Sequence, residues 1–238
     1  LSRHHVAQSA QAFSQTLDWA LKMILLIAVP AAAALMLLAE PILVTLFYYG
    51  DVMTLRDMSM ASLSLKAYAA GLIAFMLIKV LAPGFFARQD MRTPVRIGVI
   101  AMVLNMLFNL LLVIPLHKYW QIGHLGLAAA TSLSAFINAI LLFLCLRKKG
   151  IYQPSQGWLR FFVGLMSSVA IMLVVLTQLL GLWGGSEGFY QQYWLQRVST
   201  IALLCGAGFI SFVVSLFVFG FRWSDMRGPV KATNDSNK

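Results

Sequence analysis

The stretch KVLAPGFFARQDMRTPVR, residues 79–96, breaks a chain otherwise dominated by long apolar runs. It carries Pro83 and Gly84, then Phe85 and Phe86, then Arg88, Gln89, Asp90 and Arg92, and it closes on Thr93 and Pro94. An apolar segment precedes it and another follows. That is the layout of two antiparallel helices crossing a bilayer, whose hydrocarbon core of about 30 Å takes about 20 helical residues.

Composition supports the same reading. Of 238 residues, 60% are hydrophobic and only 11% charged, against about 25% charged in soluble domains. A large buried core cannot account for the deficit, because a chain of this length remains mostly surface when it folds in water. Cys145 and Cys205 lie inside apolar runs without disulfide or metal-ligand spacing, and read as small packing residues. The net charge of +10 is spread between apolar runs rather than gathered into one patch. It therefore speaks for topology and for contact with anionic lipid headgroups rather than for nucleic acid. The chain starts at Leu1 without a signal-peptide pattern, so a fragment or half of a larger protein is expected.

Six stretches are long enough to span: 17–39, 62–81, 94–113, 126–146, 161–181 and 198–221. None alternates with period two, so the expected fold is all-α, a polytopic bundle of six transmembrane helices. Pro30 should kink the first helix, and Glu40-Pro41 should end it because proline cannot donate the next backbone bond. PILVTLFYYG, residues 41–50, is then too short to cross and reads as an interfacial or re-entrant turn. Pro83-Gly84 should end the second helix, and Thr93 should cap a third that begins at Pro94.

Of the 18 Lys and Arg residues, 13 fall on one side or at its helix ends, while Arg56, Lys118 and Arg197 fall on the other and Lys66 and Lys79 lie within the second span. The bias makes the first side cytoplasmic and puts both termini there. Residues 1–16 are then a cytoplasmic-side lead-in from a preceding helix, and 17–146 hold four spans. Residues 147–160 are a basic cytoplasmic loop, 161–221 two C-terminal spans, and 222–238 a cytoplasmic tail.

Several polar residues sit where lipid makes them costly. Lys66 and Lys79 are 13 residues apart, about 20 Å of helix. They either snorkel to opposite headgroup layers or face a wet cavity that passes an anionic group. Asn105 and Asn109 share a helix face near mid-membrane, opposite Thr131, Ser134 and Asn138 of the next span. The small residues Gly126, Ala130 and Ser134 allow that span to approach closely. The polar set reads either as interhelical hydrogen bonds or as an oxygen-lined site for a small cation such as sodium. His4 and His5 read as exposed tail, and GGSEG, residues 184–188, as a flexible external loop rather than a phosphate cradle. With no nucleophile–base pair and no metal-ligand cluster, an enzyme is not expected.

In the opening turn, Phe85 and Phe86 should anchor in the interface while Arg88 and Arg92 reach headgroups. Asp90 should pair with Arg88 or Arg92, or cap the helix that follows. Pro83, Gly84, Asp90 and Pro94 fix the backbone densely enough for a cytoplasmic gate, or for a well-punctuated connector.

KVLAPGFFARQDMRTPVRIG closely resembles the corresponding segment of the MurJ (MviN) lipid II flippases. The likeness extends through LDWALK, PAAAALMLLAEPILVTLFYYG, AYAAGLI and LRKKGIYQPSQGW, and is weaker over GGSEGFYQQYWLQR. The resemblance implies membership of the multidrug/oligosaccharidyl-lipid/polysaccharide exporter superfamily, whose two lobes rock to give alternating access. This chain would be most of the second lobe plus two extra C-terminal helices that, in the family, form an apolar groove for a lipid tail. The implied substrate is an undecaprenyl-linked peptidoglycan precursor, and the implied location the bacterial inner membrane. A sodium site proposed for this lobe would fall near Asn105, Asn109 and Thr131, with a dependence on sodium or membrane potential and no other cofactor. The family's essential cavity arginines belong to the missing N-terminal half, so this part alone should not flip lipid.

Overall fold

The computed structural model describes residues 2–49 and 53–221, with side chains from residue 11 onward. The described residues form seven helices: α1 (Ser2–Phe47), α2 (Leu55–Phe86), α3 (Arg92–Trp120), α4 (Gly123–Lys148), α5 (Trp158–Leu182), α6 (Gly185–Gln191) and α7 (Trp194–Val218). Six of them, all but α6, are long and apolar enough to cross a membrane, and no strand occurs among the described residues. His4, His5 and the tail 222–238 lie outside what is described in side-chain detail.

The first helix does not stop at Glu40-Pro41. α1 runs through both Pro30 and Pro41 to Phe47, so 41–47 is no re-entrant turn, and the expected lead-in 1–16 is continuous with the span from Ser2. A proline removes one rung of the ladder, and its fixed φ is itself helical. The Thr45 hydroxyl donates back to the Pro41 carbonyl at 2.7 Å, and Val44 and Thr45 are buried, Val44 in the core shared with the C-terminal helices. Packing outweighs the missing bond.

The same holds at Pro83-Gly84, which lies inside α2 rather than ending it. Gly84 is buried, and a Cβ there would sit 3.5 Å from the Leu146 side chain and 3.7 Å from Leu17. Phe85 is fully buried, not an interfacial anchor; Phe86 alone of the two is exposed. α2 runs on to Phe86, and the chain turns only at Gln89, which adopts a left-handed φ of 58°. α3 then starts at Arg92, so neither Thr93 nor Pro94 holds the position expected of it.

The GGSEG loop is likewise more ordered than its composition indicated. It folds into α6, whose Phe189 is fully buried.

α4 packs against both α2 and α3, while α5 packs along α7. α1 joins the two groups. Gly71 on α2 is indispensable to the α2–α4 crossing, since a Cβ would stand 2.4 Å from the Ser132 Oγ. Gly126 plays the same part at the α3–α4 crossing, 3.0 Å from the Leu112 backbone. One apolar core joins α1, α5 and α7; a second joins α1, α2 and α4.

Candidate functional site

Midway along α3 and α4, the structure brings together three of the residues expected to form an ion site. The Asn105 Nδ2 donates to Ser134 Oγ at 3.2 Å and to Thr131 Oγ1 at 3.5 Å, and Asn109 Nδ2 donates to Asn105 Oδ1 at 3.1 Å. Thr131 and Ser134 pass their own hydroxyl protons to backbone carbonyls of α4. The set is thus a continuous interhelical network with one loose end: the Asn109 Oδ1 is buried without a hydrogen-bond partner. A buried, unpaired acceptor is costly in a low-dielectric interior. The donors available are amide and hydroxyl oxygens, and no group of acidic, histidine or cysteine side chains suited to a metal ion occurs among the described residues.

At the α2–α3 turn the key contact comes from outside. Asp90 Oδ1 accepts from the Thr93 backbone N–H at 3.1 Å and Oδ2 from the Thr93 hydroxyl at 2.7 Å, capping α3 one turn ahead of the expected position. Its ion partner is neither Arg88 nor Arg92 but Lys149, at the end of α4. That ammonium and the two Thr93 donors hold the Asp90 carboxyl well below the usual carboxylate range. Arg88 lies over the Phe13 ring at 5.8 Å, and Arg92 is exposed. Lys66 is half-buried and Lys79 exposed. None of these four cations makes an ion pair among the described residues.

Two further polar centres went unrecognised in the sequence. The first is Asp18 on α1, 4% exposed. Its carboxylate accepts from Tyr152 Oη (2.7 Å), Trp158 Nε1 (2.8 Å), the backbone N–H of Ser155 (3.2 Å) and the Ser155 hydroxyl, and it pairs with Lys22 at 2.8 Å. The α4–α5 loop is thereby folded onto α1. Burial, and then the bond to Asp18, push the Tyr152 phenol far above its ordinary value. The only local signal was the four-residue spacing of Asp18 and Lys22, which brings the pair to one helix face.

The second is Arg197 on α7, 6% exposed. Its guanidinium donates to four carbonyls: Gln192 (2.9 Å), Tyr190 (3.1 Å), Tyr48 (2.8 Å) and Val44 (3.4 Å). The Tyr48 carbonyl lies just past the C-terminal end of α1, and the Val44 carbonyl in its last turn also accepts from the Tyr48 N–H at 3.1 Å; the cation here meets the negative end of the helix dipole. Tyr190 donates to Glu40 at 3.1 Å; burial, and then that bond, push its phenol up to about 12. By helical rise Asp18 and Val44 are about 39 Å apart on α1. The α5–α7 hairpin is therefore fastened to α1 by one buried charge at each end.

A cavity of about 640 Å³ opens between α1, α5 and α7 beside Asp18, and an apolar one of about 400 Å³ lies between α1, α2, α4 and the start of α5.

Comparison with known proteins places this arrangement. A family model described as lipid II flippase MurJ matches residues 1–196. The probable lipid II flippase MurJ of Vibrio cholerae serotype O1 is 40% identical over 237 residues, 97% of this chain and 42% of its own length. The probable lipid II flippase MurJ of Haemophilus influenzae is 43% identical over 213 residues, covering 86% of this chain and 40% of its own. The lipid II flippase MurJ of Burkholderia cenocepacia is 44% identical over 172 residues, 72% of this chain and 32% of its own. The chain thus spans at most 42% of the length of these relatives. A solved structure titled lipid II flippase MurJ, inward closed conformation, has the same fold, with a TM-score of 0.63 at 23% identity over 87% of this chain and 39% of that one. Six apolar spans, the transporter fold and sequence identity on this scale converge: the chain is part of a multi-pass membrane protein and belongs to the lipid II flippase MurJ family.

Proposed function

We propose that this chain is the C-terminal transmembrane part of a lipid II flippase of the bacterial inner membrane, carrying an undecaprenyl-linked peptidoglycan precursor across by alternating access together with an N-terminal half. The observation that carries the reading is identity of 40% across nearly the whole chain to a relative bearing that name. The scarcity of cations within the spans supports the need for the other half, because a pyrophosphate-linked headgroup requires several charge-assisted donors. The cytoplasmic bias of Lys and Arg supports an orientation with both termini inside. In this reading the α2–α3 turn and the end of α4 move as one gate piece, tied by Asp90, Thr93 and Lys149. The complete gene should sustain growth of a bacterium depleted of its own flippase. Failure to do so with normal membrane expression would overturn the assignment.

A second reading concerns the energy source, and rests on the unpaired Asn109 Oδ1. This oxygen, with the Asn105 amide and the Thr131 hydroxyl of the same network, would supply part of a neutral shell for sodium. Replacing external sodium by choline should then slow flipping in vesicles of the wild-type protein. Asn109→Leu should remove that dependence; persistence of the full sodium effect in this variant sinks the reading.

A further inference from the structure

The first turns of α5 stand between two voids. Arg160, Phe161 and Gly164 face the cavity of about 640 Å³, while Trp158 and Phe162 face the apolar one of about 400 Å³. A Cβ on Gly164 would meet only Phe219, at 3.9 Å. The opposite end of the helix is closed. Leu176 is buried in one core with Phe189 and Leu204, and a Cβ on Gly208 would lie 3.2 Å from its side chain. Arg197 then ties that end to α1 through the Val44 and Tyr48 carbonyls, which do not titrate. The open end depends on polar bonds instead. Trp158 and Ser155 donate to Asp18, and the Gln153 N–H donates to Ser14 at 2.9 Å, all from a loop whose residues 153–157 are exposed.

The two voids are not equivalent. One carries Lys22 and Arg160, whose charges would have to shed water to admit an apolar ring. The other is lined by Leu21, Leu77, Phe136 and Phe143, which forgo dispersion contacts for as long as it stays open. The direction of Trp158 keeps it open. Its Nε1 donates to Asp18 at 2.8 Å and the Lys22 ammonium lies over its ring at 5.3 Å, while the same ring walls the apolar cavity. Phe162, with its centroid 5.4 Å from that ring, is the other α5 residue on this wall.

We propose that the first turns of α5 are a strap, held back by Asp18, that closes into the apolar cavity when the bond from Trp158 is released. Its pivot is the packed end beside Arg197. Closure carries the Trp158 and Phe162 rings against α2 and α4, so the apolar cavity shrinks and the one beside α1 widens by the same displacement. The buried carboxylate thus sets which of the two voids is open. The proposal goes beyond the flippase reading and does not depend on it, because it needs neither transport nor the precursor.

The test uses the complete protein that carries this chain, with native cysteines replaced by alanine and spin labels introduced in pairs at exposed positions. Leu159→Cys with Leu144→Cys reads the distance from α5 to α4, and Leu159→Cys with Gln11→Cys the distance from α5 to α1. Pulsed electron paramagnetic resonance should show the first distance shortening in Asp18→Ala by about 4 Å, one carbon–carbon contact, while the second lengthens. Trp158→Phe keeps the ring and removes only its donor, so it should shift both distances in the same directions and carries the test where Asp18→Ala fails to fold. Ile140→Trp enlarges a half-exposed side chain on the wall of the apolar cavity. Added to either variant, it should block closure and restore the wild-type distances. Arg197→Leu disturbs the pivot end and should leave both distances in place. Lengthening of both distances, no change in Asp18→Ala or Trp158→Phe, the same shift in Arg197→Leu, or closure undisturbed by Ile140→Trp would each overturn the proposal.

Discussion

Lys149, the residue just past the end of α4, reaches across to the turn between α2 and α3, where it pairs with Asp90 and donates to the Thr93 hydroxyl at 2.8 Å. It also lies over the Phe85 ring at 5.7 Å. One ammonium therefore joins three helix ends, through residues 56–64 positions away in the chain. A turn whose own sequence supplies arginines at 88 and 92 is fastened by a lysine from another helix.

The Asp90 carboxyl is held below its ordinary value by Lys149 and Thr93, so its contribution has a definite sign. A depressed folded pKa gives stability that is complete above the ordinary carboxylate value and disappears as pH falls toward the folded one. Thermal melts of purified protein between pH 7 and acid should show wild type losing more stability than Asp90→Asn. Parallel curves would mean that the pair contributes nothing.

Asp18 gathers five donors in a buried place. Asp18→Ala strands the Tyr152 and Trp158 protons and leaves Lys22 without its anion. A loss of about 3 kcal/mol is expected from breaking a buried pair of this kind. The loop around residues 153–157 should become open to protease at the same time. Denaturant unfolding and limited proteolysis check the two parts separately.

Arg197→Lys tests whether geometry or charge closes the other end of α1. A lysine keeps the charge but loses the fork that serves four carbonyls. Hydrogen exchange should rise at residues 44–48 in this variant, and rise further in Arg197→Leu. Exchange unchanged in both would place the fastening elsewhere.

Gly71→Ala forces a Cβ to 2.4 Å from Ser132 Oγ. Overpacking of this kind costs about 1–3 kcal/mol. Ser132→Gly in the same protein should recover most of the loss, although it gives up the 2.7 Å bond to the Ala67 carbonyl. A double variant no more stable than Gly71→Ala would mean that the helices separate rather than clash.

Much of the architecture was legible in the residues. The apolar runs have the length of a bilayer and the interruptions are polar, so span number and helical class follow from transfer free energy alone. Asn105, Asn109 and Thr131 could also be placed opposite one another, because helical period and antiparallel order set their depth. Where sequence reasoning failed, it treated proline as decisive. Pro41 and Pro83 remove one backbone bond each, and neighbours invisible in local sequence hold the helix together around them.

By itself, then, the sequence determined which segments enter lipid, their number and the polar positions at mid-membrane, since each of these depends on the solvent preference of one short segment at a time. The tertiary structure alone decided which charge meets which: Asp90 with Lys149, Asp18 with the loop after α4, Arg197 with the end of α1. Those pairings join residues up to 153 positions apart. They exist only because helix packing first brings a buried donor to a buried acceptor, in surroundings where neither could remain alone.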